Sequence, residues 1–292
     1  MSNVRQHRKT AVPPELARTA RSVLHTRRLY KYRSLADAVQ MERLQDIVLG
    51  HRIRFSRPSE LNDPLEGKPI YTLGDWTSPE YRTRFSYWAC LTQRRVTSPP
   101  PEAAFRTWVL AQPAEVHAGL VERVNTENQA EIERKWRVLS LSATATHDLM
   151  WSHYSDGHRG VALVFDASLG EFALAYEVSY AAERESQDVT TQDLKATLRL
   201  TLLTKRSAWA YEQEFRSIGT EDQEADTLHL PQQFLQFQPP QLVGIIFGAK
   251  ITKENEATIR AWALQRVAPL GVFRASLDAG GGVEVQDGST QE

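Results

Sequence analysis

The chain reads as an α+β protein, with helices packed on a mostly antiparallel or mixed central sheet, and three stretches predict it. Residues 160–166, Gly-Val-Ala-Leu-Val-Phe-Asp, form a strand-length apolar run of the kind a central strand needs when both its faces are covered. Residues 209–216, Trp-Ala-Tyr-Glu-Gln-Glu-Phe-Arg, alternate in character: as a strand they put Trp209, Tyr211, Gln213 and Phe215 on one face and Glu212, Glu214 and Arg216 on the other. Between Tyr71 and Asn128 the period changes, with Phe105, Trp108, Val109, Val116, Leu120, Val121 and Val124 at helical spacing and prolines at 99–101 and 113 as breaks. This predicts a helical insertion at about 72–130.

The elements follow in order. Leu29–Arg33 alternates as a first strand, Tyr30 and Tyr32 facing one way and Lys31 and Arg33 the other. Ser34 and Asp37 open a helix over about 35–49 with Leu35, Val39, Leu44, Ile47 and Val48 as its stripe, stopped by Gly50. Arg52–Ser56 is a second strand that breaks at Pro58, and 59–64 is turn chemistry. Trp136–Ser142 returns to alternation, with Trp136, Val138, Ser140 and Ser142 on one face and Leu139 and Leu141 on the other. A short helix from Thr146 or Asp148 passes Met150-Trp151-Ser152-His153-Tyr154 and ends at Gly157. Phe172–Tyr180 is a strand candidate, and 193–205 a helix with Leu194, Leu198 and Leu202 at i, i+4 and i+8. Leu242–Phe247 is a buried strand, Thr252 caps a helix carrying Ile259, Trp262 and Val267, and Gly271–Ala275 closes the sheet. We expect residues 29–275 to form one domain between a basic flexible arm, 1–28, and an acidic, Gly-rich, disordered tail, 276–292.

Composition narrows the function. With 41% hydrophobic and 24% charged residues the chain is globular, and a formal net charge of −1 gives no global attraction to nucleic acid or anionic membrane. No apolar stretch approaches the ~18 residues of a membrane span. The single cysteine, Cys90, fits a reducing cytoplasm, and its apolar neighbours make it a buried structural thiol rather than a nucleophile. Neither G-x-G-x-x-G after a strand nor G-x-x-x-x-G-K occurs, and the serines lack a G-x-S-x-G elbow. His147, His153 and His158 lack the four-residue spacing of a helical metal pair, so no metal is expected.

Three pieces carry chemistry: Arg33 on the first strand, Ser140-Leu141-Ser142, and Glu212-Gln213-Glu214. A solvated sheet face with an ion pair accounts for the last as well as a site does. Asn62, Asp63 and Pro64 make a turn by local chemistry, or place Asp63 at the edge of a site. Lys205 and Arg206 suit the C-terminal end of a helix.

Taken together, Leu29–Ser34, Arg54–Pro58, Asn62–Gly67, Leu139–Ser142, Met150–Tyr154, Gly157–Gly160, Trp209–Arg216 and Phe247–Ala249 resemble the bacterial family catalogued as domain of unknown function 2971, over about 29–265. The order of Arg33, Ser-x-Ser and Glu-x-Glu is also similar to the arginine, Ser-Thr-Ser and Glu-x-Glu motifs of mono-ADP-ribosyltransferases, although Leu141 stands where those have threonine.

That second resemblance implies a sheet split around a cleft that clamps NAD as substrate. Arg33 would hold an NAD phosphate or ribose, and Ser140 and Ser142 would order the nicotinamide-ribose side. Glu214 would stabilise the oxocarbenium-like transition state, and Glu212 would orient or deprotonate the acceptor, a protein or a nucleic acid. In the histidine–tyrosine variant of that superfamily, Tyr32, Ser56 or Tyr154 would stand in those places. Asp63, His153, Tyr154, Trp209 and Tyr211 complete the expected contacts. The function implied is an ADP-ribosyltransferase-like enzyme, a toxin or defence component. A non-enzymatic binding module on the same sheet, and a metal-dependent nucleic-acid hydrolase built on His147 and His153, are the alternatives.

Overall fold

The computed structural model describes residues 28–287 apart from 69, 94–99, 169, 192 and 224–226, so all of the basic arm but Arg28, and the end of the acidic tail, lie outside it. From the N-terminus run β1 (Arg28–Arg33), α1 (Ala38–Val48), β2 (Arg52–Arg54) and β3 (Tyr71–Thr72), then helices α2 (Pro79–Gln93), α3 (Glu102–Ala111) and α4 (Ala114–Lys135). β4 (Trp136–Ser142), α5 (Asp148–Tyr154) and β5 (Val161–Asp166) follow, with the short strands β6 (Tyr176–Glu177), β7 (Ser179–Ala181) and β8 (Gln187–Asp188). The chain continues through α6 (Leu194–Leu202), β9 (Thr204–Arg206), β10 (Glu214–Thr220), β11 (Leu228–His229) and β12 (Phe234–Gln236). It ends in β13 (Leu242–Phe247), α7 (Lys253–Leu264), β14 (Gly271–Leu277) and β15 (Val283–Asp287).

The architecture is α+β around a mixed, mostly antiparallel sheet of order β11-β10-β4-β1-β5-β13-β14-β15, with β6 also on β10. The parallel neighbours in it are β10 with β11 and β13 with β14. β5 is central and buried on both faces, as its unbroken apolar run requires. Leu163 and Phe165 join a core with Leu44, Ile47 and Ile259 of α1 and α7, while Ala162 and Val164 join a second with Tyr32 and Trp151. Trp151 is fully buried, and its indole N–H donates to the Ala145 carbonyl at 2.7 Å, so burial leaves no polar atom stranded. Helices α2 to α4 close on an aromatic core of their own around Phe85 and Trp88.

Register varies sharply along the sheet. β1 matches β5 from Arg28↔Asp166 to Arg33↔Val161, and β4 matches β10 from Ser142↔Glu214 to Trp136↔Thr220. Between β1 and β4 the register holds one pair, Tyr30↔Ser142. Val138, further along β4, forms its bridge with Ser56 instead.

Four expectations are corrected. Residues 207–212 wind into a 3-10 turn rather than a strand, and Gln213 turns the chain with φ +44° before β10 begins at Glu214. Ser207, Ala208 and Ala210 are local helix-compatible residues, and the aromatic alternation of Trp209 and Tyr211 is overridden. The helix expected to reach 205 stops at Leu202, and Thr204–Arg206 pairs with Ser179–Ala181. Residues 172–180 are a 3-10 turn followed by two short strands, not one strand. Residues 276–287, read as tail, finish β14 and return as β15, with Asp278 accepting from the Gly280 and Gly282 amides in the turn.

A candidate active site between β1, β4 and β10

Two close backbone approaches fix the position of β1. A Cβ on Gly160 would lie 2.0 Å from the Arg33 carbonyl oxygen, and the Gly248 amide donates to the Gly160 carbonyl at 2.9 Å. The turn after α5 therefore presses directly on the end of β1, and Arg33 is placed by main chain rather than by side-chain packing. Beside it opens a pocket of about 420 Å³, lined by Lys31 and Arg33 of β1, Ser140 and Ser142 of β4, and Glu212 and Glu214 at the head of β10.

Its floor is a closed ionic cluster. Arg216, fully buried, forks onto Glu214 with Nε to Oε1 at 2.8 Å and Nη2 to Oε2 at 2.9 Å, and Nη2 also meets Glu66 Oε2 at 2.9 Å. Its remaining terminal nitrogen donates to the Leu202 carbonyl at 2.7 Å. Lys205 Nζ stands 2.6 Å from Glu212 Oε2, 3.3 Å from Glu214 Oε2 and 3.3 Å from Glu66 Oε1. Three buried carboxylates thus share two buried cations. The geometry offsets the cost of burying these charges at every carboxylate oxygen but Glu66 Oε1, which has the Lys205 ion pair and no hydrogen bond.

Glu212 is held from both ends. The Tyr154 hydroxyl donates to Oε1, and Asn62 Nδ2 donates to that hydroxyl at 2.6 Å. Ser142 Oγ donates to the Glu212 carbonyl at 2.6 Å, and the Ala143 amide to the Gln213 carbonyl at 2.9 Å, so the serine strand fixes the turn between the glutamates.

The environments drive the two carboxyls in opposite directions. Burial alone would raise Glu214, but the Arg216 and Lys205 charges, with hydrogen bonds from Arg216 and Ser140, hold it at about 2. Burial pushes Glu212 up and the Glu214 charge adds to it, with Lys205 and Tyr154 opposing. Glu66 is raised chiefly by burial. The surroundings thus favour the ionised form of Glu214 and raise the proton affinity of Glu212, whose two oxygens accept from Tyr154 and Lys205.

The facing wall is basic. Burial and then the neighbouring Arg33 charge bring Lys31 down to about 7, while its Nζ donates to the Ser140 carbonyl at 2.9 Å. Arg33 is lowered to about 10 by burial and by Arg43 and Arg54, and its buried Nε has no hydrogen-bond partner. Among the described residues neither Arg33 nor Arg43 forms an ion pair, whereas Arg54 is engaged by Glu60 Oε1 at 2.8 Å and Gln233 Oε1 at 3.1 Å.

Of the residues expected from sequence, Tyr32, Arg33, Ser56, Ser140, Ser142, His153, Tyr154, Glu212 and Glu214 line this one pocket. The glutamates are buried rather than flat on a solvated face. Asp63 does not line it: both its oxygens take Arg206, at 2.9 and 3.1 Å, and Oδ1 caps the Leu65 amide. Trp209 and Tyr211, displaced by the 3-10 turn, stand behind it. The Trp209 ring lies 4.8 Å from the Lys205 ammonium, and the Tyr211 hydroxyl meets His153 Nδ1 at 3.0 Å. His158 stacks on Trp151 and faces Asp148 at 3.1 Å, and no three His, Cys, Asp or Glu converge among the described residues as a metal-ligand set would.

Sequence reasoning missed Glu66 and Lys205 as members of the cluster, and Arg43 and Arg54 as members of the wall. Glu66 lies inside the Asn62–Gly67 stretch, but nothing local there sets it apart from a surface glutamate.

Residues 150–217 match the family described as "Protein of unknown function (DUF2971)", a span that contains α5 from Met150 onward, Lys205, both glutamates and Arg216. No curated protein and no solved structure matches the chain. Among the described residues no helix is long and apolar enough to cross a membrane.

Proposed function

We propose that the chain is an ADP-ribosyltransferase-like enzyme: it takes NAD into the pocket between β1, β4 and β10, cleaves the nicotinamide–ribose bond and passes ADP-ribose to a protein or nucleic-acid acceptor. The observation that carries the reading is the opposition of two charge fields across one pocket. Glu214, held toward its ionised form by Arg216 and Lys205, stands on the floor, and unpaired Arg33 and Arg43 stand on the wall. A dinucleotide whose reacting ribose becomes cationic while its phosphates stay anionic is the ligand such a pocket suits.

The residues fit that ligand at a specific atom. The Arg33 Nε is buried without a partner, a cost that folding accepts where a ligand oxygen supplies the missing acceptor. In the reaction the C1′–N bond breaks and its electron pair leaves with neutral nicotinamide. Glu214, held in orientation by Arg216, stabilises the positive charge that develops on the ribose. The incoming nucleophile bonds to C1′ and gives its proton to Glu212, whose raised affinity for a proton fits a general base. A role in toxicity or defence against other cells is consistent with this chemistry.

A second reading, binding without turnover, is favoured by one observation: both Glu214 oxygens already take Arg216. Nicotinamide release and thermal shift on wild type, Glu214→Gln and Glu212→Gln separate the two. Release by wild type, with Glu214→Gln still stabilised by NAD yet at least a hundredfold slower, supports the transferase reading. Stabilisation of wild type by NAD without release supports the binding module, and no response of either kind removes both.

A further inference from the structure

The pocket does not end at its basic wall. Arg33, Arg43, Arg54 and Ser56 also line a narrow cavity of about 90 Å³, and Arg43, Arg54 and Phe234 carry that cavity into a groove of about 500 Å³ along α1. Backbone geometry explains the continuity. Val138 of β4 bridges Ser56, Ser56 is two residues from Arg54 on the same side of an extended segment, and Arg54 is paired across the strands with Phe234. Two residues of strand advance ~7 Å, so Ser56, Arg54 and Arg52 form a row along one side of this segment, from the bridge at Val138 to the pair with Phe234 and beyond.

The two ends of this row differ in charge. In the neck Arg33 and Arg43 are not ion-paired, and Asp46, which also lines it, is taken up by Arg52, so the two arginines remain open to phosphate. In the outer groove Arg52 is matched by Asp46 at 3.0 Å, with Glu42 alongside, so further phosphate would meet carboxylates there. The Arg52 guanidinium carbon also lies over the Phe234 ring, 4.4 Å from its centroid, so an aromatic ring and a guanidinium together line the groove wall.

We propose that this outer groove is the adenosine compartment of the site: the pyrophosphate lies in the Arg33–Arg43–Arg54 neck, and the adenine base packs against Phe234 and Arg52. The assignment rests on NAD being the substrate of the inner pocket. The base stacks on π-faces, as bases do on aromatic and guanidinium planes, while Asp46 and Glu42 offer acceptors to the ribose hydroxyls. The arrangement makes the chain selective for a dinucleotide. Nicotinamide mononucleotide fills the inner pocket and the neck but leaves the groove empty.

The test compares nicotinamide release from NAD and from nicotinamide mononucleotide, together with calorimetric binding of ADP-ribose, in wild type, Phe234→Ala and Arg52→Ala. We expect the ratio of kcat/KM for NAD to that for the mononucleotide to fall about tenfold in each variant, through KM rather than kcat, and ADP-ribose affinity to fall in parallel. Release by wild type with an unchanged ratio and unchanged ADP-ribose affinity overturns the compartment and leaves the cleavage reading standing. No release from either substrate, with ADP-ribose bound and weakened by Phe234→Ala, overturns the cleavage reading and leaves the compartment. Failure of wild type to bind ADP-ribose overturns the compartment outright.

Discussion

Arg216 and Glu214, two residues apart on one strand, are joined by both guanidinium prongs, and the pair is sealed from solvent at the bottom of a pocket. The same guanidinium reaches Glu66, so removing it leaves three buried carboxylates to share Lys205 alone. Arg216→Met should therefore cost about 3–5 kcal/mol of stability, and Arg216→Lys should recover only part of it because a lysine cannot fork. Urea denaturation of the three proteins checks this, and equal midpoints would refute it.

The same pair sets an acid limit. The Glu214 carboxyl sits at about 2 in the folded chain, below the ordinary value near 4.3 that it regains on unfolding. Its contribution is complete above that ordinary value and is lost as pH falls toward 2. Between pH 4.5 and 2.5 Glu214→Gln should lose less stability than wild type. Parallel losses across that window would contradict the assignment.

Lys31 works in the opposite sense. Its amine is lowered from 10.5 to about 7, so between those values the unfolded chain holds the proton that the folded chain has released. Stability should rise with pH across that window. In Lys31→Met that rise should be absent, so the variant's advantage is largest near pH 6.5 and shrinks by pH 10. Denaturant midpoints at several pH values decide it.

Tyr154→Phe removes a hydrogen bond that opposes the burial-driven rise of Glu212. The Glu212 carboxyl should climb further, moving the acidic limb of the pH–rate profile for nicotinamide release to higher pH, with a stability loss of about 1–3 kcal/mol. A limb that stays in place would show that Glu212 is not the group titrating.

Gly160→Ala places a methyl group 2.0 Å from the Arg33 carbonyl oxygen, backbone against backbone, and should cost about 3 kcal/mol or more. Gly157→Ala, at φ +56° with a Cβ meeting only the flexible Arg159 guanidinium at 3.4 Å, should cost about 1–2 kcal/mol. Thermal denaturation ranks the two.

The sheet was largely legible because its strands announce themselves through burial: Leu139 and Leu141 face one core while Trp136 and Val138 face another, as their alternation implies. The types of the charged residues at the site were legible too. Their winding was not, because Trp209 and Tyr211 alternate like a strand while Gln213 adopts a left-handed turn that no periodicity reveals. Lys205 was hidden by the leucine repeat before it, which reads as helix past the point where β9 begins. Glu66 was hidden by distance: its partner Arg216 is 150 positions away, and nothing local distinguishes it from a surface glutamate.

The single rung between β1 and β4 gives the sheet a seam. Amides on either side are held by full ladders to β5 and β10, so they should exchange with solvent only on global unfolding, while the inner edges that face the pocket lack that protection. A ligand seated there would stand in for the missing rungs, bracing one half of the sheet against the other.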